Sequence, residues 1–111
     1  MGGPLRQGEI RWYTFSPPDK RRPVLILTRT SAISYLHSVS VAPITTRIRN
    51  IPSEVLLTEA DGVQEPCVVN LDNIQTIPQD RLGKLLVRLT GDRLKEARDA
   101  IAFAYGFALI E

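Results

Sequence analysis

The side chains of this sequence that could do chemistry are few in kind. There is one histidine, His37, and one cysteine, Cys67. No glycine-rich phosphate loop, paired CxxC or HExxH occurs. A Ser-His-Asp triad would have to use His37, and no nucleophile elbow accompanies it. The carboxylates show no helical ligand spacing, so neither a metal site nor a cofactor is expected. Cys67 lies in the apolar stretch Pro66-Cys67-Val68-Val69 and reads as a buried, inert thiol. An enzyme built from this chain would have to work with arginine, threonine and serine.

Those arginines are concentrated in one half. Residues 1–50 carry eight Lys/Arg and two acids, a charge of +6, whereas residues 51–111 carry six bases and ten acids, a charge of −4. A basic half within a nearly neutral domain suits a polyanionic partner. The 111 residues make one domain, residues 1–111, in which a core can form with a thin margin that oligomers often supplement. With 43% hydrophobic and 23% charged residues the chain should fold rather than stay disordered. No apolar run approaches the ~20 residues of a membrane span, and Met1 to Gln7 holds no signal-peptide stretch. A cytoplasmic location is therefore expected.

The elements that position these residues are mostly strands. Gly8 to Phe15 reads as a strand rich in aromatics, and Ser16-Pro17-Pro18-Asp19 as a turn. Val24 to Thr28 is a β-rich apolar run too short for a helix, which predicts a strand buried on both faces. Thr30 to Leu36 is a short helix or loop. Further strands are expected at Ser38–Ile44, Glu54–Thr58, Cys67–Leu71, Ile74–Ile77 and within Leu82–Leu89. Thr45 to Ser53 is a polar, basic loop, and Asp61-Gly62 punctuates a turn. Thr90 can cap a helix from Gly91 to about Ala108, with Leu94, Ala97, Ile101, Ala104 and Ala108 on its apolar stripe and Gly106 weakening its last turn. The sum is a small antiparallel barrel or half-open sheet with a terminal helix against it.

Three segments resemble the MazF/PemK toxin family: Gly8-Glu9-Ile10-Arg11-Trp12, Arg21-Arg22-Pro23-Val24-Leu25-Ile26-Leu27, and Val41-Ala42-Pro43-Ile44-Thr45-Thr46. The stretches Val68 to Ile77 and Arg81-Leu82-Gly83 agree, in the family's order and over nearly the whole chain. The resemblance implies an α+β, mostly β fold, the MazF/CcdB-like plasmid maintenance toxin fold with its SH3-like barrel and a C-terminal helix. It implies a sequence-specific, metal-independent endoribonuclease that cuts single-stranded RNA and leaves 2′,3′-cyclic phosphate and 5′-hydroxyl ends. It also implies a homodimer and an antitoxin whose acidic, disordered tail blocks the RNA groove.

By that resemblance the catalytic arginine falls on Arg22 and the active-site hydroxyl on Thr45. The roles make chemical sense. The substrate brings its own nucleophile, and an arginine fork with a hydroxyl can hold the phosphate oxygens. Arg21 and Thr46 are the neighbours one residue out of register. Some family members carry a Glu in a longer loop before the RPV motif. Here that loop is short and lacks Glu, and Asp19 is the candidate substitute. Arg47 and Arg49, in the loop after Thr45, could grip RNA. Asn70, Asp72 and Gln75 offer polar groups to unpaired base edges. Trp12, Tyr13 and Phe15 could stack on bases, with core packing expected for at least two of them. The competing functions are a non-catalytic single-stranded RNA-binding module and a gyrase-poison toxin of the same general fold.

Overall fold

A computed structural model describes residues 4–16 and 20–107. Its strands are β1 (Glu9–Thr14), β2 (Arg21–Ile26), β3 (Ser38–Thr45), β4 (Glu54–Leu57), β5 (Cys67–Asn70), β6 (Gln75–Pro78) and β7 (Leu85–Arg88). A short helix α1 (Thr30–Ile33) follows β2, and a 15-residue helix α2 (Gly91–Tyr105) follows β7. All pairings are antiparallel, in the order β4-β5-β3-β2-β1-β7. The long strand β3 is the hub. One edge pairs with β2, while the other takes β6 along Ser38–Val41 and then β5 at Ile44 and Thr45. This is the curled, mostly β sheet with a C-terminal helix that the sequence leads one to expect.

The apolar run in β2 explains why the sheet has a core on each side. Val24, Leu25 and Ile26 are each 0% exposed. Leu25 joins Ile10, Ala42, Val69 and Leu71 in a cluster that α2 covers with Ala97 and Ala100. Val24 and Ile26 point the other way, into a second cluster with Ile33, Val39, Val41 and Ile77. The period-two alternation of side chains thus divides one strand between two cores.

Prolines shape the open end of this sheet. Pro23 and Pro43 cannot donate to a ladder, and the pairing of β2 with β3 stops at Val24↔Pro43. Pro78 closes β6 at its pairing with Ser38 and does not stand outside it, since β6 is an edge strand where a missing N–H costs nothing.

Helix α2 starts as expected, with the Thr90 hydroxyl accepting from the Arg93 N–H. It ends sooner than its apolar stripe suggests. Gly106 takes φ +76°, and the N–H groups of Gly106 and Phe107 close on the carbonyls of Phe103 and Ala102. This Schellman closure stops the helix at Tyr105. Gly106 is its C-terminal stop and not a weak last turn, and Ala108 lies outside the described residues.

A second ordered turn borders the groove described below. Glu59–Asp61 forms a 3-10 turn in which the Asp61 carboxylate accepts from the Thr58 N–H at 2.9 Å. Arg93 of α2 donates to both oxygens of Asp61, at 2.8 and 3.1 Å, and so ties the turn to the helix. Gly62 follows at φ +97°, and a Cβ there would stand 2.8 Å from Val87 Cγ2.

Candidate active site

Register decides which of the paired candidates share a face. In β1–β2, Tyr13 lies opposite Arg22 and Trp12 opposite Pro23. In β2–β3, Val24 lies opposite Pro43, and two residues further on the same register sets Arg22 across from Thr45. In β3–β5 and β5–β4, Thr45 lies opposite Val68 and Val68 opposite Leu56. Continued past the last β2–β3 pair, these registers line up Tyr13, Arg22, Thr45, Val68 and Leu56 as one cross-strand row at the open end. Alternation puts Arg21 and Thr46 on the other face.

Arg22 and Thr45 are both half-buried, so neither is a freely moving surface side chain. Among the described residues Arg22 has no ion-pair partner. The Thr45 hydroxyl accepts from the Arg47 N–H at 3.1 Å. A threonine hydroxyl has one proton to give. With the Arg47 contact taken on a lone pair, that proton is left for a ligand. A guanidinium and a hydroxyl donor side by side form a site for an anionic, tetrahedral group such as a phosphodiester.

On the opposite face Trp12, Pro23, Thr46, Gln64 and Glu65 line a groove of about 380 Å³, with Thr45 at its edge. The Arg21 guanidinium lies 4.2 Å above the Trp12 ring. Tyr13 and Phe15 pack edge to face at 4.7 Å and join the second core cluster, as expected of at least two of the three aromatics. Cys67 is buried beneath the groove. Burial pushes its thiol up, and the Glu65 and Asp61 carboxylates push the same way. It is the buried thiol that its sequence context predicts.

The remaining sequence candidates are in different states. Arg47 and Arg49 are exposed in the loop after β3, and Arg49 is held by Glu54 through its N–H at 3.0 Å and its Nε at 3.2 Å. Asn70 and Asp72 each have a side-chain oxygen engaged by the protein itself. Asn70 Oδ1 accepts from the Asp72 N–H at 3.0 Å, and Asp72 accepts from the Ser53 hydroxyl. Gln75 is half-buried in β6 opposite Val41. Asp19 lies outside the described residues. His37 is exposed at the start of β3. Among the described residues no three His, Cys, Asp or Glu side chains lie close enough together to hold a metal ion.

Two features escape a reading of the sequence. Gln64 and Glu65 lie in a stretch that reads only as an acidic turn, and a groove wall has no sequence period. Glu9 is 0% exposed, its carboxylate between Arg11 Nε at 2.8 Å and Arg88 Nε at 3.3 Å. Arg11 also donates to the Gly83 carbonyl at 3.0 Å. The available signal was a Glu and an Arg two residues apart, on one face of a strand that is otherwise largely buried.

A curled antiparallel sheet of seven strands with one terminal helix against it defines a small, mostly β domain. Residues 6–105 match the family model described as PemK-like, MazF-like toxin of type II toxin-antitoxin system, and the chain belongs to that family. It is 42% identical over 87 residues to Endoribonuclease MazF3 of Mycobacterium tuberculosis, which covers 78% of this chain and 84% of that one. Its fold superposes on that of Mycobacterium tuberculosis toxin MazF-mt6 with a TM-score of 0.82 at 38% identity, covering 91% and 99% of the two chains. It also superposes on an endoribonuclease from a mycobacterial species in complex with its cognate antitoxin, with a TM-score of 0.83 at 26% identity, covering 95% and 98%.

Proposed function

We propose that the chain is an endoribonuclease toxin that cleaves single-stranded RNA without a metal ion, using Arg22 and Thr45 as a phosphate clamp. The observation that carries this reading is the β2–β3 register, which, continued two residues past its last pair Val24↔Pro43, sets Arg22 across from Thr45. The RNA 2′-hydroxyl oxygen attacks the adjacent phosphorus, and the bond from phosphorus to O5′ breaks. One proton leaves the 2′-hydroxyl and one is taken up by the departing O5′. The products are a 2′,3′-cyclic phosphate and a 5′-hydroxyl. Arg22 stabilises the charge that builds on the nonbridging oxygens, and the free Thr45 proton adds a second donor. Family membership supports the activity, and the basic half of the chain supports an RNA substrate. Asp19 remains the candidate for the proton transfer, with Arg21, Arg47 and Arg49 as further phosphate contacts.

Two partners belong to this proposal. One is a second copy of the chain, consistent with the small core of a 12.4 kDa domain. The other is an antitoxin with an acidic segment that folds along the basic face. Sedimentation at micromolar concentration checks the first: a monomer counts against it. Unchanged cleavage in the presence of the neighbouring gene's product counts against the second.

The decisive test is a long unstructured RNA incubated in EDTA with wild-type protein, Arg22→Ala and Thr45→Val, with the ends mapped. Wild type should cut at a short motif and leave 5′-hydroxyl ends. Each variant should lose about 10²–10³ in rate, the cost of removing one charge-stabilising donor. RNA bound but left intact by wild type points to the non-catalytic binding module, and RNA neither bound nor cut points to the gyrase poison. Cleavage that persists in Arg22→Ala removes Arg22 from the mechanism.

A further inference from the structure

The groove behind the Arg22–Thr45 row has features that a phosphate clamp does not use. Trp12 is half-buried yet packs into neither core cluster, unlike Tyr13 and Phe15 on the same strand stretch. Its indole lines the groove, with Arg21 stacked 4.2 Å above the ring. A large aromatic held outside the core under a guanidinium is the kind of surface on which unpaired bases stack. The volume of about 380 Å³ lies in the range of small-molecule sites and accommodates a nucleobase.

The polar groups at the groove select among occupants. Glu65 contributes a carboxylate, an acceptor without a proton to give, and Gln64 contributes an amide that can donate and accept. A phosphate in the groove would meet the like charge of Glu65, whereas a neutral base would not. Among bases, one with an exocyclic amine can donate to Glu65, and a carbonyl at the same position would oppose it. Thr45 and Thr46 are adjacent in the chain, and both border the groove. A base there can therefore belong to a nucleotide beside the clamped phosphate.

We propose that this groove is a base-selecting subsite: it takes one unpaired, amine-bearing base of the RNA, set against the part of the Trp12 ring that Arg21 leaves open and read by Glu65 with Gln64. The assignment rests on the nuclease reading for its occupant and extends it to a specificity-determining site.

Trp12 is the sole tryptophan of the chain, so its emission reports directly on the groove. The probes are labelled 2′-deoxy pentanucleotides, which lack the attacking hydroxyl and stay uncut. They come in three matched pairs that differ by one amine: cytosine against uracil, adenine against purine, guanine against hypoxanthine. Anisotropy of the label measures binding, and Trp12 emission measures stacking. Binding should change the Trp12 emission, and the amine-bearing member of at least one pair should bind about fivefold tighter or more. Glu65→Gln should bring that pair to within about twofold. Arg22→Ala should weaken all probes alike and leave the emission change at saturation intact. Binding with no change in Trp12 emission overturns the subsite, as does amine selectivity that is absent in wild type or survives Glu65→Gln. Absence of any binding by wild type overturns the nucleic-acid reading itself, and the subsite with it.

Discussion

Replacing Glu9 by Gln should be the most destabilising single conservative change in the chain. Glu9 is wholly buried, and its two oxygens meet guanidinium groups of very different exposure. The Arg88 side chain is 63% exposed, so its 3.3 Å contact is screened by water and contributes little. The Arg11 side chain is 8% exposed, and its only other hydrogen bond among the described residues is to the neutral Gly83 carbonyl. Glu9→Gln therefore leaves a guanidinium in the sheet without its counter-charge. Breaking a buried pair in this way costs about 3–5 kcal/mol. A chain of this length is stable by about 5–15 kcal/mol, so about a fifth or more of the total is at stake. At roughly 4 °C per kcal/mol, Tm should fall by about 12 °C or more. Urea unfolding at pH 7 and a thermal scan at one protein concentration measure the loss. The double variant Glu9→Met with Arg11→Leu removes both charges and should recover most of it, since an apolar replacement of a buried pair is commonly near neutral. A Glu9→Gln midpoint within about 1 kcal/mol of wild type, or a double variant no better than the single, would refute this reasoning.

Two further outcomes follow from the turn that borders the groove. The hydrogen bonds from Arg93 hold the Asp61 carboxyl below its ordinary value of 3.8, outweighing the opposing effect of burial. A lowered folded pKa gives stability that is fully present above the unfolded value of about 4 and is lost as pH falls through the folded value below it. Urea midpoints taken from pH 5 down to pH 2 should therefore drop more steeply for wild type than for Asp61→Asn, and equal slopes would show that the Arg93 pair is not formed. Gly62→Ala should cost more than about 1 kcal/mol in the same assay, because alanine is strained at φ +97° and its Cβ meets Val87 at 2.8 Å. A neutral outcome would mean that the loop is free to move away from β7.

The strand and helix positions were legible in the sequence because each depends on local chemistry. The apolar run Val24 to Leu27, the Thr90 cap and the prolines act over a few residues, and the segments that resemble the toxin family follow one another along the chain. The early end of α2 was harder to read, because the apolar stripe continues past Gly106 while the backbone there closes into a Schellman stop. For the site, the sequence supplied the residue types, arginine and threonine around two prolines, but not which member of each neighbouring pair faces which way. A shift of one residue exchanges the faces of a strand, so Arg21 could not be separated from Arg22, nor Thr45 from Thr46, by type alone. Pairing across three strands separated them. It put Arg22 with Thr45 in one row and sent Arg21 to Trp12 on the opposite face. The groove with Gln64 and Glu65, and the pairing of Glu9 with Arg88, belong to the tertiary structure. They bring together residues as far as 79 positions apart, and no local pattern in a chain records which distant segments will meet.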